Sequence, residues 1–286
     1  MYDTTHHIGG TFLVARWKNS AVLTVSALAV LGLAACGSKD APSTVEEKPS
    51  GLALMASDAK GSIQKAADAA GKTTSLTIAM EGKQEGEAVK GAGTVALGSE
   101  RKAEVTVEDP KEGTTTVRVI GTAFYIQVPA ADQADMGGKK WFKIDSSAAG
   151  EAGVEAMTNV VDDIDPAMQL KPLLTAETVT VVGEEAVNGA QTVHYAVTMP
   201  VAPYLAAFPE SVRAATEKMI TKLGVKEVKT ELWIDEQYQV RRGRSFLNDA
   251  NDMVVNFTDF NKPVTIDVPP AAETADFADL LKGLQG

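Results

Sequence analysis

Between residues 52 and 70 apolar side chains return every three or four positions, at Leu52, Met55, Ala56, Ala59, Ile63, Ala66, Ala67 and Ala70. Asp58, Lys60, Gln64, Lys65 and Asp68 fall between them, so one amphipathic helix is predicted, ended by Gly71. The period then drops to two. Leu76, Ile78 and Met80 are followed by Val95 and Leu97, Val105 and Val107, Val117 and Val119, and Phe124 and Ile126. These read as short antiparallel strands in a meander, each burying one face.

Turn chemistry separates the strands at Glu81-Gly82, at 97–100, at Asp109-Pro110-Lys111-Glu112-Gly113 and at Gly121. Gly91 and Gly93 lie inside a strand, where a missing side chain permits strong bending or the close approach of another backbone. A further strand is expected over Lys139 to Asp145. Helix with a break before Pro166 is expected over 147–176, with Met168, Leu170, Leu173 and Leu174 as an apolar cluster. A second set of strands covers Val179 to Val182, Glu185 to Val187 and Thr192 to Met199, with Asn188-Gly189 as a hairpin turn. Pro200 and Pro203 lead into a helix from Tyr204 to Leu223. Three strands, Val228 to Asp235, Val240 to Asn248 and Met253 to Asp259, close the pattern before a loose tail.

The first 36 residues differ from the rest. Basic Arg16 and Lys18 precede an apolar stretch from Ala21 to Leu33 and then the small residues Ala34 and Ala35. This is the layout of a cleaved signal segment, too short to span a hydrocarbon core of roughly 30 Å as a permanent helix. Three units are therefore expected: a signal peptide over 1–35, a lipidated cysteine and flexible tether over 36–50, and a single domain over 51–286. A start at Val14 in place of Met1 is the alternative that N-terminal mapping of the precursor decides. The tether, rich in Ser, Pro and charge, spans roughly 20 Å as flexible coil.

Charge narrows the partners. Setting aside 1–35 removes Arg16, Lys18 and Asp3 and leaves 25 basic and 37 acidic side chains, a net charge of −12. Such a surface repels nucleic acid and anionic head groups alike. Membrane contact then has to come from lipid on the protein, and two acyl chains suffice where one is marginal. Cys36 is the only cysteine, so no intrachain disulfide staples the fold.

Leu33-Ala34-Ala35-Cys36 resembles the lipobox of bacterial lipoproteins, whose cysteine takes a diacylglyceryl group. The mature chain as a whole resembles the LppX/LprG-type actinobacterial lipoproteins, which share a fold with the periplasmic carrier LolA. The resemblance rests on the lipobox and on four segments in order: Lys140-Trp141-Phe142-Lys143-Ile144, residues 183–189 leading into Val193-His194-Tyr195, Leu232-Trp233-Ile234-Asp235, and Phe257-Thr258-Asp259-Phe260. It implies an α+β fold, a strongly curved antiparallel β half-barrel wrapped around α-helices with an apolar cavity between them. It also implies a non-enzymatic, monomeric protein on the extracytoplasmic face of the cell membrane. Its ligand would be an acyl-chain lipid or lipoglycan, and a membrane transporter is among the partners left open.

On that reading the one-sided strand positions and the helical insert line the cavity: Leu76, Ile78, Met80, Val95, Val105, Val107, Val117, Val119, Phe124, Ile126, Leu170, Leu173 and Leu174. A slip of one residue would turn any strand's set to the other face. The rival reading is an interaction or sensor lipoprotein with a filled core and no transported ligand.

Catalytic and metal chemistry find little support. His6 and His7 precede the lipobox, which leaves His194 as the one imidazole of the mature chain, and it reads as a polar strand residue. Asp162-Asp163-Ile164-Asp165 lacks the glycine turn and distal glutamate of a calcium loop. No nucleophile elbow, phosphate loop or paired-cysteine motif is present, and no cofactor or metal is expected. Trp141 and Trp233 read as packing residues, and 203–223 as a helix docked on the sheet or, alternatively, a mobile lid.

Overall fold

The computed structural model describes residues 50–84, 86–109, 113–145, 164–208 and 210–276. Cys36, the signal segment, the tether up to residue 49 and the helix expected over 147–163 lie outside the described residues.

The described residues begin with two short helices, α1 (Gly51–Ser57) and α2 (Ala59–Ala70). Ten strands and the helical pieces between them follow: β1 (Ser75–Gln84), β2 (Glu87–Ala96), β3 (Lys102–Asp109), β4 (Gly113–Ile120), β5 (Ala123–Gln127), β6 (Trp141–Asp145), α3 (Pro166–Leu170), a 3-10 turn (Pro172–Thr175), β7 (Thr180–Val187), β8 (Ala190–Pro200), α4 (Val201–Ala206), α5 (Glu210–Lys222), β9 (Glu227–Asp235) and β10 (Val240–Asn248). Among the described residues the last two strands are β11 (Asn251–Thr258) and the short β12 (Thr274–Asp276). All twelve strands form one sheet in the order β12-β6-β5-β4-β3-β2-β1-β11-β10-β9-β8-β7. Neighbours run antiparallel except β12, which pairs parallel with β6. The sheet does not close, since β7 and β12 are its edges. A curved, mostly antiparallel sheet wrapped around helices is the α+β architecture that the resemblance implied.

The bend depends on glycine. A Cβ at Gly93 would lie 2.2 Å from the Glu104 carbonyl oxygen and 2.9 Å from Val105 Cα, so β3 crosses β2 closer than any side chain permits. At Gly82 the same atom would meet the Asp252 carbonyl oxygen at 2.4 Å, again a backbone contact, from β11. The hairpin turn at Asn188-Gly189 has positive φ at both residues, 51° and 79°, as a two-residue turn between twisted strands needs.

The helical stripe foreseen over 52–70 is broken in two at Asp58, whose backbone leaves the helical region (φ −128°, ψ 70°). The Asp58 carboxylate accepts from the Gly61 N–H at 3.0 Å and caps α2, the competition with the helix ladder that a short acidic side chain offers. The Met55 carbonyl accepts instead from the Ser62 hydroxyl and from the Tyr195 hydroxyl, each at 3.0 Å. Burial pushes the Tyr195 hydroxyl above its ordinary pKa. The helix expected over 204–223 is likewise two pieces, α4 and α5, and it starts earlier, at Val201. Its buried side chains, Leu205 and Ile220, form a separate small cluster with Val228.

Against the inner face of the sheet, α1, α2, α3 and the 3-10 turn build the main core, with Leu52, Met55, Ile63, Ala66, Leu170 and Leu173 packed on strand residues from β1 to β11. Arg101, in the β2–β3 turn, ties the helical insert down through Asp165 at 2.5 Å. Asp165 also caps α3 by accepting from the Ala167 N–H at 2.9 Å. The outer face has its own cluster, in which Ile120, Ala123, Tyr125 and Trp141 are covered by Ile266 of the closing segment.

Two predictions follow from these contacts. Gly93→Val should cost about 3 kcal/mol of unfolding free energy, since β3 must move, whereas Ala92→Val next to it should change stability by under about 0.5 kcal/mol in a urea titration. The second concerns β12, which is held by Lys143 on Asp276 at 2.9 Å; that hydrogen bond, with the nearby carboxylate charge, raises the lysine pKa. A raised lysine contributes stability below its ordinary value and loses it as pH rises through the raised one. Above about pH 10.4, as pH rises through the ordinary lysine value and on through the raised one, the melting temperature should therefore fall further in the native protein than in Lys143→Met.

Candidate functional site

Every strand position expected to line a cavity lies on the inner face, so no register slip occurred. The positions fall into two groups. Leu76, Ile78, Val95, Val105, Val119 and Phe124, together with Leu170 and Leu173 of the insert, are buried in the main core. Leu76 and Val95 have no exposed surface, and Ile78 and Leu170 are 1% exposed. Side chains this inaccessible have no water-sized void beside them. Where the helices lie over it, the inner face is packed.

Met80, Val107, Val117 and Ile126 form the second group, all half-buried. The pairing register shows why they belong together. Val117 stands opposite Ile126, and Ile126 opposite Phe142. Val107 stands opposite Gly91, and Met80 opposite Val255. Val107 is also the diagonal neighbour of Val117, whose direct partner is Val105. Phe142 and Val255 are half-buried as well. The result is an apolar stripe running from β6 across β5, β4, β3, β2 and β1 to β11. From β5 to β11 it crosses five inter-strand steps of about 4.8 Å, about 24 Å in all.

Gly91 sits in the middle of the stripe, and the Met80 side chain lies over it; a Cβ there would be 2.9 Å from Met80 Cγ. A flexible thioether over a glycine is a surface that can change shape, because methionine rotates about three bonds and fills irregular gaps. Every side chain named in the stripe is apolar, so it offers a ligand dispersion and burial and no reacting group.

Leu174 departs from expectation. It is 40% exposed, because the 3-10 turn that buries Leu173 directs the next residue outward. Phe142 and Val255 were missed: Phe142 lies in the expected strand Lys139 to Asp145 and Val255 in Met253 to Asp259, and alternation within each strand would have put both on a face. Which face joins the stripe requires the order of strands, in which β1 lies beside β11.

The remaining candidates sit away from the stripe. Trp233 lies on the outer face and stacks on His194, with ring centroids 4.1 Å apart and planes 14° apart. Its indole N–H donates to Glu185. The His194 ring stands between Glu185, 3.2 Å from Nδ1, and Glu231, 3.3 Å from Nε2. The two carboxylates flank opposite nitrogens, so they cannot chelate one ion with the imidazole. Trp141 is buried on the outer face and its ring carries the Arg118 guanidinium at 4.7 Å. Neither tryptophan lines the inner stripe. Of the acidic run, Asp162 and Asp163 lie outside the described residues, Ile164 is buried, and Asp165 caps α3. Among the described residues no three His, Cys, Asp or Glu side chains are placed to hold a metal ion, and no helix is long and apolar enough to cross a membrane.

No family model matches the chain. An uncharacterised 31.2 kDa Streptomyces griseus protein from the rplA-rplJ intergenic region is 25% identical over 225 residues, 73% of this chain and 73% of that protein. A candidate lipoprotein of Streptomyces coelicolor, SCO4650, is 26% identical over 218 residues, covering 74% of this chain and 62% of its own length. Among solved structures, the Mycobacterium tuberculosis lipoprotein LppX matches with a TM-score of 0.49 and 16% identity, over 73% of this chain and 97% of that one. LprF from Mycobacterium bovis also has a TM-score of 0.49, with 14% identity, over 74% of this chain and 97% of that one.

Proposed function

We propose that this chain is an exported lipoprotein, anchored through diacylglycerol on Cys36 at the outer face of the cytoplasmic membrane, that binds one acyl chain of an apolar lipid or lipoglycan and carries it. The observation that supports the reading best is the half-buried stripe through Ile126, Val117, Val107, Met80 and Val255, apolar throughout and about 24 Å long at about 4.8 Å per strand step. The lipobox at Leu33 to Cys36 and the Streptomyces coelicolor relative support the anchor.

Binding needs no catalysis. At about 0.8 kcal/mol per buried methylene, covering ten methylenes offsets roughly 8 kcal/mol of the cost of drawing a chain out of a bilayer. Exchange between bilayer and protein is then nearly balanced, and a carrier requires that balance in order to release. Met80 over Gly91 supplies an adaptable floor, and the packed end under α2 and α3 supplies a rigid wall.

The packed core under those helices is also what the rival reading requires, an interaction lipoprotein whose sheet is filled. One experiment separates the two. Residues 37–286 are expressed without the signal, bound lipid is extracted and identified by mass spectrometry, and uptake of an apolar fluorescent probe is measured. The carrier reading expects near-stoichiometric lipid and saturable uptake; neither would be seen for a filled interaction module. Val107→Trp should reduce uptake at least tenfold while leaving the melting temperature within a few degrees, because Val107 is half-buried and open to its ligand side. Unchanged uptake would remove this stripe as the site. Cys36→Ala in the full chain should bind the probe as before and fail to sediment with membranes.

A further inference from the structure

The outer face of the same sheet holds a second recess. One cross-strand row there runs from Thr116 through Thr106 to Ala92, then from Ala79 through Asn256, Arg242 and Trp233 to His194. Most of the row carries large or branched side chains. At Ala92 and Ala79 it carries only methyl groups, and the gap is a groove of about 330 Å³ lined by these two alanines, by Met80 and Gly91 between them, and by Thr106, Asn256, Glu81, Lys90 and Glu108. That volume lies at the lower end of the range for small-ligand sites, about 300–1,000 Å³.

One wall is fixed in place. Asn256 Oδ1 accepts from Arg242 Nε at 2.9 Å and from Asn188 Nδ2 at 3.2 Å, which leaves its own amide N–H groups as donors at the groove. Arg242 is itself held over the Trp233 ring at 5.6 Å. The opposite wall is Thr106, whose hydroxyl meets that of Thr116 at 3.1 Å. The rim carries Lys90 directly opposite Glu108, with Glu81 on the neighbouring strand.

The geometry points to a saccharide-binding site at this groove, on the outer face of the sheet, meeting the proposed lipid stripe only at Met80 and Gly91. The floor is apolar, two alanine methyls with Gly91 between them, which suits the apolar face of a sugar ring. The walls and rim alternate acceptors (Glu81, Glu108) with donors (Lys90, the Asn256 amide), which suits hydroxyl groups that both donate and accept. Two carboxylates against one ammonium repel a phosphate or carboxylate ligand, and the lysine between the carboxylates repels a metal ion. A neutral sugar escapes both penalties.

The test is methyl NMR on the full chain labelled at alanine methyls, titrated with maltotriose, mannotriose and diacetylchitobiose. A saturable shift of the Ala79 and Ala92 methyl signals with at least one of these neutral oligosaccharides is expected. Ala92→Leu fills the floor and should abolish the shift at Ala79 with the melting temperature unchanged. Glu108→Gln should weaken binding severalfold. No saturable shift with any of the three, or a shift that survives in Ala92→Leu, overturns the proposal. A larger response to inorganic phosphate, or to palmitate in place of sugar, overturns it as well, the first indicating an anion site and the second an extension of the lipid stripe. Failure here leaves the mass-spectrometric test of lipid binding untouched, and the two readings stand or fall separately.

Discussion

Strand curvature is the constraint from which the rest of the molecule follows. Twelve strands in one unclosed sheet can wrap helices only if some strands come closer than side chains allow, and Gly93 and Gly82 are where they do, against the backbones of Glu104 and Asp252. A flat sheet of the same composition would present the inner valines and isoleucines to solvent. Bending turns them inward, and the two helices α1 and α2 with the insert at 166–175 then have a concave surface to fill. The helices need that surface in turn: α1 has seven residues and α2 twelve, lengths that are marginal in isolation and depend on packing.

Curvature also distributes the polar groups. On the outer face the side chains spread apart, and charged residues can pair across strands without crowding. Arg244 donates to both oxygens of Asp252 at 2.7 Å and lies 3.4 Å from Glu231, and its pKa is raised by these contacts, the hydrogen bond to Asp252 first. Arg118 pairs with Glu104 in the same manner further along. On these partly exposed strands such pairs contribute modestly to stability, but they fix register between β9, β10 and β11, where like charges directly opposite would oppose it.

Much of this was legible in the residues. Alternation located the strands from Leu76 to Ile126 and from Val228 to Asp259, and it put the strand positions expected to line a cavity on a common face. The Asn188-Gly189 turn followed from its two residues alone. The break at Asp58 was not legible, because the apolar spacing Met55, Ala56, Ala59, Ile63 runs through it undisturbed; only the capping bond to Gly61, a three-dimensional contact, reveals it. Leu174 was misplaced because an α-helical and a 3-10 turn differ by a rotation that one apolar doublet cannot report. The division of the inner face into a packed end and a half-buried stripe was beyond the sequence altogether, since Val105 and Val107 are the same residue type two positions apart and differ only in what lies over them.

That last division bears on how a protein of this shape could hold an apolar ligand. A core packed throughout would leave a chain nowhere to lie, and a face open throughout would expose more apolar surface than a soluble body tolerates. Half-burial lies between the two. The side chains of the stripe already lose part of their contact with water, so covering them gains less than covering a fully exposed surface, and the ligand's own methylenes supply most of the driving force. On the proposed reading, affinity would be set by the length of chain that fits and by the shape Met80 adopts over Gly91, both of which would favour a flexible hydrocarbon over a rigid ring system.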